Sequence, residues 1–255
     1  MKRYLVIIFT AIFLLVIVAG CSSNIDNQTI KNDSISHQQE EISDYSIMEN
    51  SELSIGFNNI KVICKNKDRK DGSICKEPEL IIDNKRYPLS TKISDGGVEL
   101  KLNDFNQDNN LDLFFINYLG TGTSACMTEG YLYSVVNSIP KEIFHDNHED
   151  PIKYIDKNIS FEVDNKEGSY YITAKKEGKV VGVKSSSQEE LHANEIITEN
   201  DVGPGGILHY HVRDKGEPKI QAEVGIFCRT IYFSELILTY SYIDGHFIVD
   251  KVEFR

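Results

Sequence analysis

Tyr240-Ser241-Tyr242-Ile243-Asp244-Gly245-His246-Phe247-Ile248-Val249 decides the reading of the fold. Two runs of aromatic and β-branched residues flank Asp244-Gly245, and an Asp-Gly pair readily takes the positive backbone angles that a tight hairpin requires. Residues 235 to 254 are therefore expected to form a C-terminal hairpin. The same grammar recurs upstream, where short apolar runs are punctuated by Asp83-Asn84, Asp95-Gly96-Gly97 and Glu177-Gly178. It predicts strands near Ile60–Cys64, Glu79–Ile82, Val98–Leu102, Leu111–Tyr118, Gly130–Val136, Ile159–Val163, Ser169–Lys175, Val180–Val183, Ile207–Val212, Lys219–Phe227, Glu235–Ile243 and Phe247–Phe254.

Many short strands without a clear 20-to-50-residue repeat give a mainly β fold, an antiparallel sandwich or barrel-like arrangement with little helix. A partial propeller is the competing picture. The best helix candidate is Ser187 to Ile196, with Ser187 as cap and Glu189-Glu190 in the first turn. Residues 137 to 158 contain Pro140, Pro151 and His145-Asp146-Asn147-His148-Glu149-Asp150. They are the candidate boundary for a subdivision of the β-rich region, residues 51 to 255.

The N-terminus has a different character. Lys2 and Arg3 precede an apolar run from Tyr4 to Val18, and Val18-Ala19-Gly20-Cys21 closes it. A basic start, an apolar stretch of about 15 residues and small residues before the cut are the parts of an export signal, and the run is short for a spanning helix. Residues 1 to 20 are read as a signal peptide. Residues 22 to about 50 are dominated by Ser, Asn, Asp, Gln and Glu; so few apolar groups cannot offset the entropy of ordering, which makes residues 21 to 50 a flexible tether.

The full chain carries 27 basic and 39 acidic residues; without Lys2 and Arg3 the balance is 25 to 39, a net charge of −14. Such a surface repels phosphates, so nucleic acid is excluded as a partner and cations are favoured. Cys64, Cys75, Cys126 and Cys228 form an even set in a compartment that permits oxidation. A Cys64–Cys75 bridge across a hairpin, with Cys126–Cys228 as the long-range staple, is the favoured of three connectivities, and free buried thiols are the alternative. No pair has the short C-x2-4-C spacing of a zinc site.

Asp104-Phe105-Asn106-Gln107-Asp108-Asn109-Asn110-Leu111-Asp112 places side-chain oxygens at positions 1, 3, 5 and 9, leaving the Asn110 carbonyl at 7. A tightly coiled loop wraps a hard cation with this alternation, since calcium takes six to eight oxygens. Phe115 at the twelfth position and the strand-like run after Asp112 exclude a helix–loop–helix EF-hand. An Asx-rich turn without metal is the plainer alternative.

Two resemblances follow from these residues. Val18-Ala19-Gly20-Cys21 resembles the bacterial lipobox, which implies diacylglyceryl attachment at Cys21, further acylation (palmitate) and a mature N-terminus there. It places the chain on the extracytoplasmic side of the cell membrane, anchored by lipid. The Asp104–Asp112 loop is similar to the calcium loop of FG-GAP or VCBS-type repeats, written D-x-[DN]-x-D-G-x-x-D-L. That likeness implies a structural calcium held by Asp104, Asn106, Asp108, Asn110 and Asp112. Asn109 departs from the pattern by standing where the family has glycine. Tyr118-Leu119-Gly120-Thr121-Gly122-Thr123-Ser124 and the closing hairpin also look similar to segments of uncharacterised secreted bacterial proteins with one such loop.

Other motifs carry less. Gly120-Thr121-Gly122-Thr123-Ser124 lacks the Lys-Ser/Thr ending of a phosphate-binding loop. His209-Tyr210-His211 places two imidazoles on one strand face, a metal-capable geometry with His192 as a conceivable third ligand. His145 and His148 fall in an acidic, solvated loop, and Gly203-Pro204-Gly205-Gly206 is punctuation before a strand. No G-x-S-x-G, H-E-x-x-H or thiol-protease signature occurs, and no catalytic residue is assigned. The leading expectation is a non-enzymatic lipoprotein that binds an unidentified envelope or extracellular partner. Its alternatives are a calcium-stabilised surface hydrolase of cell-wall or carbohydrate substrates and a transition-metal chaperone.

Overall fold

Leu113-Phe114-Phe115-Ile116 shows how the molecule is layered, because a strand turns successive side chains to opposite faces. All four are almost fully buried, Leu113 and Phe115 in one apolar cluster and Phe114 and Ile116 in another. A strand buried on both sides must lie between two other layers.

The computed structural model describes residues 53–57, 60–64, 73–94, 97–122, 125–192, 196–213 and 216–255. The signal, Cys21, the tether and the Asp95-Gly96 turn lie outside them. The strands are β1 (Leu53–Phe57), β2 (Ile60–Cys64), β3 (Ser73–Cys75), β4 (Pro78–Ile82), β5 (Lys85–Pro88), β6 (Ile93–Ser94), β7 (Val98–Asn103), β8 (Asp112–Gly122), β9 (Ala125–Val136) and β10 (Ile139–Asp146), followed after helix α1 (Asp150–Asn158) by β11 (Ile159–Lys166), β12 (Ser169–Lys176), β13 (Lys179–Ser187), β14 (Val202–Arg213), β15 (Lys219–Cys228), β16 (Ile231–Ile243) and β17 (His246–Phe254).

A long central sheet runs β17-β16-β15-β14-β9-β8-β7, with β10 also paired to β9. Val62, Leu80 and Ile82, from the four-stranded sheet β1-β2-β4-β5, pack with Leu100, Leu113, Phe115, Tyr131 and Tyr133 in the smaller core. Tyr170, Ile172 and Ala174, from the three-stranded sheet β11-β12-β13, join Phe114, Leu132, Tyr210, Val224 and Leu238 in the larger one, where Ile155 of α1 also sits. The fold is thus mainly β, a layered sandwich of antiparallel and mixed sheets with no closed barrel. Residues 137–158 form the Asn137-Ser138 turn out of β9, then β10 and α1.

Five two-residue turns have both central residues at positive φ: Asp83-Asn84, Asn137-Ser138, Glu167-Gly168, Glu177-Gly178 and Asp244-Gly245. Their flanking residues pair directly, as Ile243 does with His246, and the turn twist matches that of the strands.

Over Ser187–His192, the described start of the expected Ser187–Ile196 helix, no helix forms. Ser187 caps as expected, its Oγ accepting the Glu190 amide at 3.1 Å while Glu190 Oε2 accepts the Ser187 amide at 3.0 Å. After Leu191 bonds back to the Ser187 carbonyl, His192 turns left-handed at φ 46°, so one turn is all the segment makes before residue 193. Helix forms instead at Asp150–Asn158, with Pro151 in its first turn and Ile155 fully buried. It is only nine residues long, and Ile152 and Tyr154 pack beside the buried Pro151 and Ile155.

The cysteines also differ from expectation. Cys228, at the end of β15, is a free buried thiol, so the Cys126–Cys228 bridge is not made. Cys228 stands opposite Val202 on β14, whereas Cys126 stands opposite Ile207, several residues along the same neighbouring strand. Cys75 is buried and disulfide-bonded. The side chains of Cys64 and Cys126 lie outside the described residues.

Candidate functional site

The turn between β7 and β8 coils around its own carboxylates. Asp104 Oδ1 and Oδ2 accept the amides of Asp108 and Asn109 at 3.0 and 2.9 Å, and Asn106 Oδ1 accepts the Asp108 amide at 3.0 Å. Asp108 Oδ1 takes the Asn110 amide at 2.8 Å and its side-chain Nδ2 at 3.0 Å. Asp112 Oδ2 reaches back to the amides of Phe105 and Asn106 at 3.0 and 3.1 Å. The structure therefore brings all five sequence-predicted residues into one loop. Gln107 and Asn109 adopt φ of 63° and 65°, so Asn109 takes up the left-handed conformation that glycine adopts most readily.

Phe105 anchors the loop, buried in the larger core with its ring edge-on to Phe114 at 6.0 Å. Asp112 is wholly buried as well. Its Oδ1 makes no well-formed hydrogen bond, although the Ser134 hydroxyl, directly opposite on β9, lies near enough to favour the charged carboxylate. Burial pushes the Asp112 carboxyl up to about 6 against the Asn106 amide, the Ser134 hydroxyl and the Phe105 amide, and the charge of Asp108 raises it further. Asp108 is different. Slight desolvation is outweighed by bonds from Asn110 and Asn106, which hold it below the usual carboxylate range.

An orphaned buried carboxylate oxygen in a loop that also carries the side-chain oxygens of Asp104, Asn106 and Asp108 has the chemistry a hard cation takes. Among the described residues no three His, Cys, Asp or Glu side chains already converge on one ion position, and these carboxylates are instead engaged with main-chain N–H groups. Bound calcium would cross-link the β7–β8 turn, a structural role.

The remaining motifs resolve individually. His209 and His211 share the face of β14 opposite the core residues Leu208, Tyr210 and Val212. His192 follows Leu191, which lies in that core, and so belongs to the other side of the sheet. Gly203–Gly206 opens β14 as a bulge, where Gly205 packs on the Phe227 ring beside an open cleft of about 440 Å³.

Sequence reading passed over Glu129, which lies outside any motif. Its carboxylate accepts the Tyr131 hydroxyl at 2.9 Å and stands 3.6 Å from His148 Nδ1. No protein-family model matches the chain, and no curated protein or solved structure matches it either.

Proposed function

We propose that the chain is a lipid-anchored extracytoplasmic lipoprotein. Its β-rich part is a non-enzymatic binding or structural unit whose β7–β8 turn is stabilised by calcium. The observation that supports the cation is Asp112 Oδ1, buried and unpartnered at the loop position where the related calcium loops carry a ligand. The experiment is thermal unfolding during a calcium titration, because an ion that binds only the folded state stabilises by mass action. A rise in melting temperature that Asp112→Asn abolishes supports the site; equal rises in both proteins refute it.

The anchor rests on Val18-Ala19-Gly20-Cys21. Two acyl chains suffice for stable attachment where one does not. Cys21→Ser should accumulate unprocessed precursor or release protein from the membrane; unchanged processing and retention argue against lipidation. For the bonded Cys75 we assign Cys64 as partner, since Cys64 is opposite Pro78 in β4, three residues beyond Cys75.

The second reading, a surface hydrolase, is favoured by the nearness of Glu129 to His148, whose buried Nδ1 lies unbonded 3.6 Å from the carboxylate, a small approach short of the carboxylate–imidazole pair that many acid–base sites use. Release of soluble fragments from purified cell wall or polysaccharide, lost in His148→Ala, would support it over the binding unit.

A further inference from the structure

We propose that His209, His211 and Glu223 form a second, independent metal site, one that takes zinc or a similar borderline transition-metal ion. The two imidazoles alternate on β14 and project from the face opposite the larger core. Glu223 is paired directly across from His209 on β15, so their Cβ atoms lie within about 5.5 Å of each other, as opposed residues do. Glu223 Oε1 is also 3.8 Å from His211 Nε2. This is too long for a hydrogen bond. Two ligands about 2.1 Å from one tetrahedral zinc stand about 3.4 Å apart, so this pair needs only a small approach to share an ion.

The surroundings fit that use. Gln221 lies opposite His211, its Oε1 3.0 Å from the same Nε2 and its amide fixed by a 2.8 Å bond to Thr239 Oγ1. When the ion displaces that contact, Gln221 is placed to bond a water in the fourth position. The three donors are not preassembled; rotation of the half-exposed Glu223 and His211 side chains closes the site. The calcium loop shares none of these residues.

The test is calorimetric titration of zinc into the full chain in excess calcium, repeated with His209→Gln, His211→Gln, Glu223→Gln and Asp108→Ala. One equivalent of zinc should bind. Each of the first three changes should weaken it by about tenfold or more, with melting temperatures confirming that the variants fold, while Asp108→Ala leaves it intact. Cobalt(II) should give the intense visible absorption of a tetrahedral site in wild type and in Asp108→Ala, and in none of the other three variants. Absence of zinc binding, or binding that survives all three substitutions, overturns the site; loss only in Asp108→Ala would assign the zinc to the calcium loop and likewise overturn it.

Discussion

The Tyr210 hydroxyl donates a 2.8 Å hydrogen bond to Asp146, anchoring the last residue of β10 to the middle of β14 inside the larger core. Tyr240 on β16 donates to the same Oδ2. Burial pushes the Asp146 carboxyl up to about 6, against the two tyrosine bonds and the charge of His145, with Asp150 adding to the rise.

A carboxyl raised in the folded state favours folding most when protonated. Its contribution is complete below the ordinary value of 3.8 and is lost as pH rises to about 6. Without calcium, burial raises the Asp112 carboxyl and acts in the same direction. Stability without calcium should therefore fall between pH 4 and 6.5. Asp146→Asn should remove up to about 3 kcal/mol of that dependence, at 1.36 kcal/mol per unit. Urea unfolding across this range checks it, and parallel curves for the two proteins would dismiss the assignment.

Thr128 repairs the place where the central sheet forks. β9 pairs with β14 only at Cys126 and Met127 and with β10 from Gly130 onward. Between them Thr128 Oγ1 donates to the Leu208 carbonyl at 3.1 Å and accepts the Tyr210 amide at 3.0 Å. Thr128→Val keeps the shape and strands both buried groups, so it should cost about 2 to 4 kcal/mol. An unfolding midpoint equal to wild type would contradict this.

Gly182 lets β13 cross the end of β17. A Cβ there would stand 2.6 Å from the Phe254 carbonyl oxygen and 2.7 Å from its Cβ. Main chain cannot rotate away, so Gly182→Ala should destabilise by about 1 to 3 kcal/mol. Denaturant titration would expose a neutral outcome.

Asp108→Ala removes the acceptor for the Asn110 amide in the β7–β8 turn. Its melting temperature in calcium should fall to near that of chelated wild type, as scanning calorimetry with and without chelator would show. Calcium shifts of the same size in both proteins would count against a cation there.

The twelve strands expected from alternating apolar runs all appear, most lengthened by a few residues. Runs such as Leu236-Ile237-Leu238 specify strands locally, and Asp244-Gly245 specifies the turn. β5, Lys85–Pro88, was not legible because its surface is mostly exposed and its residues polar. β10 escaped for a similar reason: only Asp146 of its eight residues is buried. The order of donors in the Asp104–Asp112 loop was also local, because each reaches an amide within eight positions.

Sequence alone thus determined the strand content, the tight turns, the coiled acidic loop and the export-like start, all consequences of neighbours along the chain. Tertiary structure decided which sheets stack, that Cys228 stays unpaired, that Asp112 loses its water and that Asp146, Glu129 and His211 meet partners from other elements of the fold. Those outcomes depend on register and layer packing between distant segments, where a single-residue shift would turn every side chain to the opposite face.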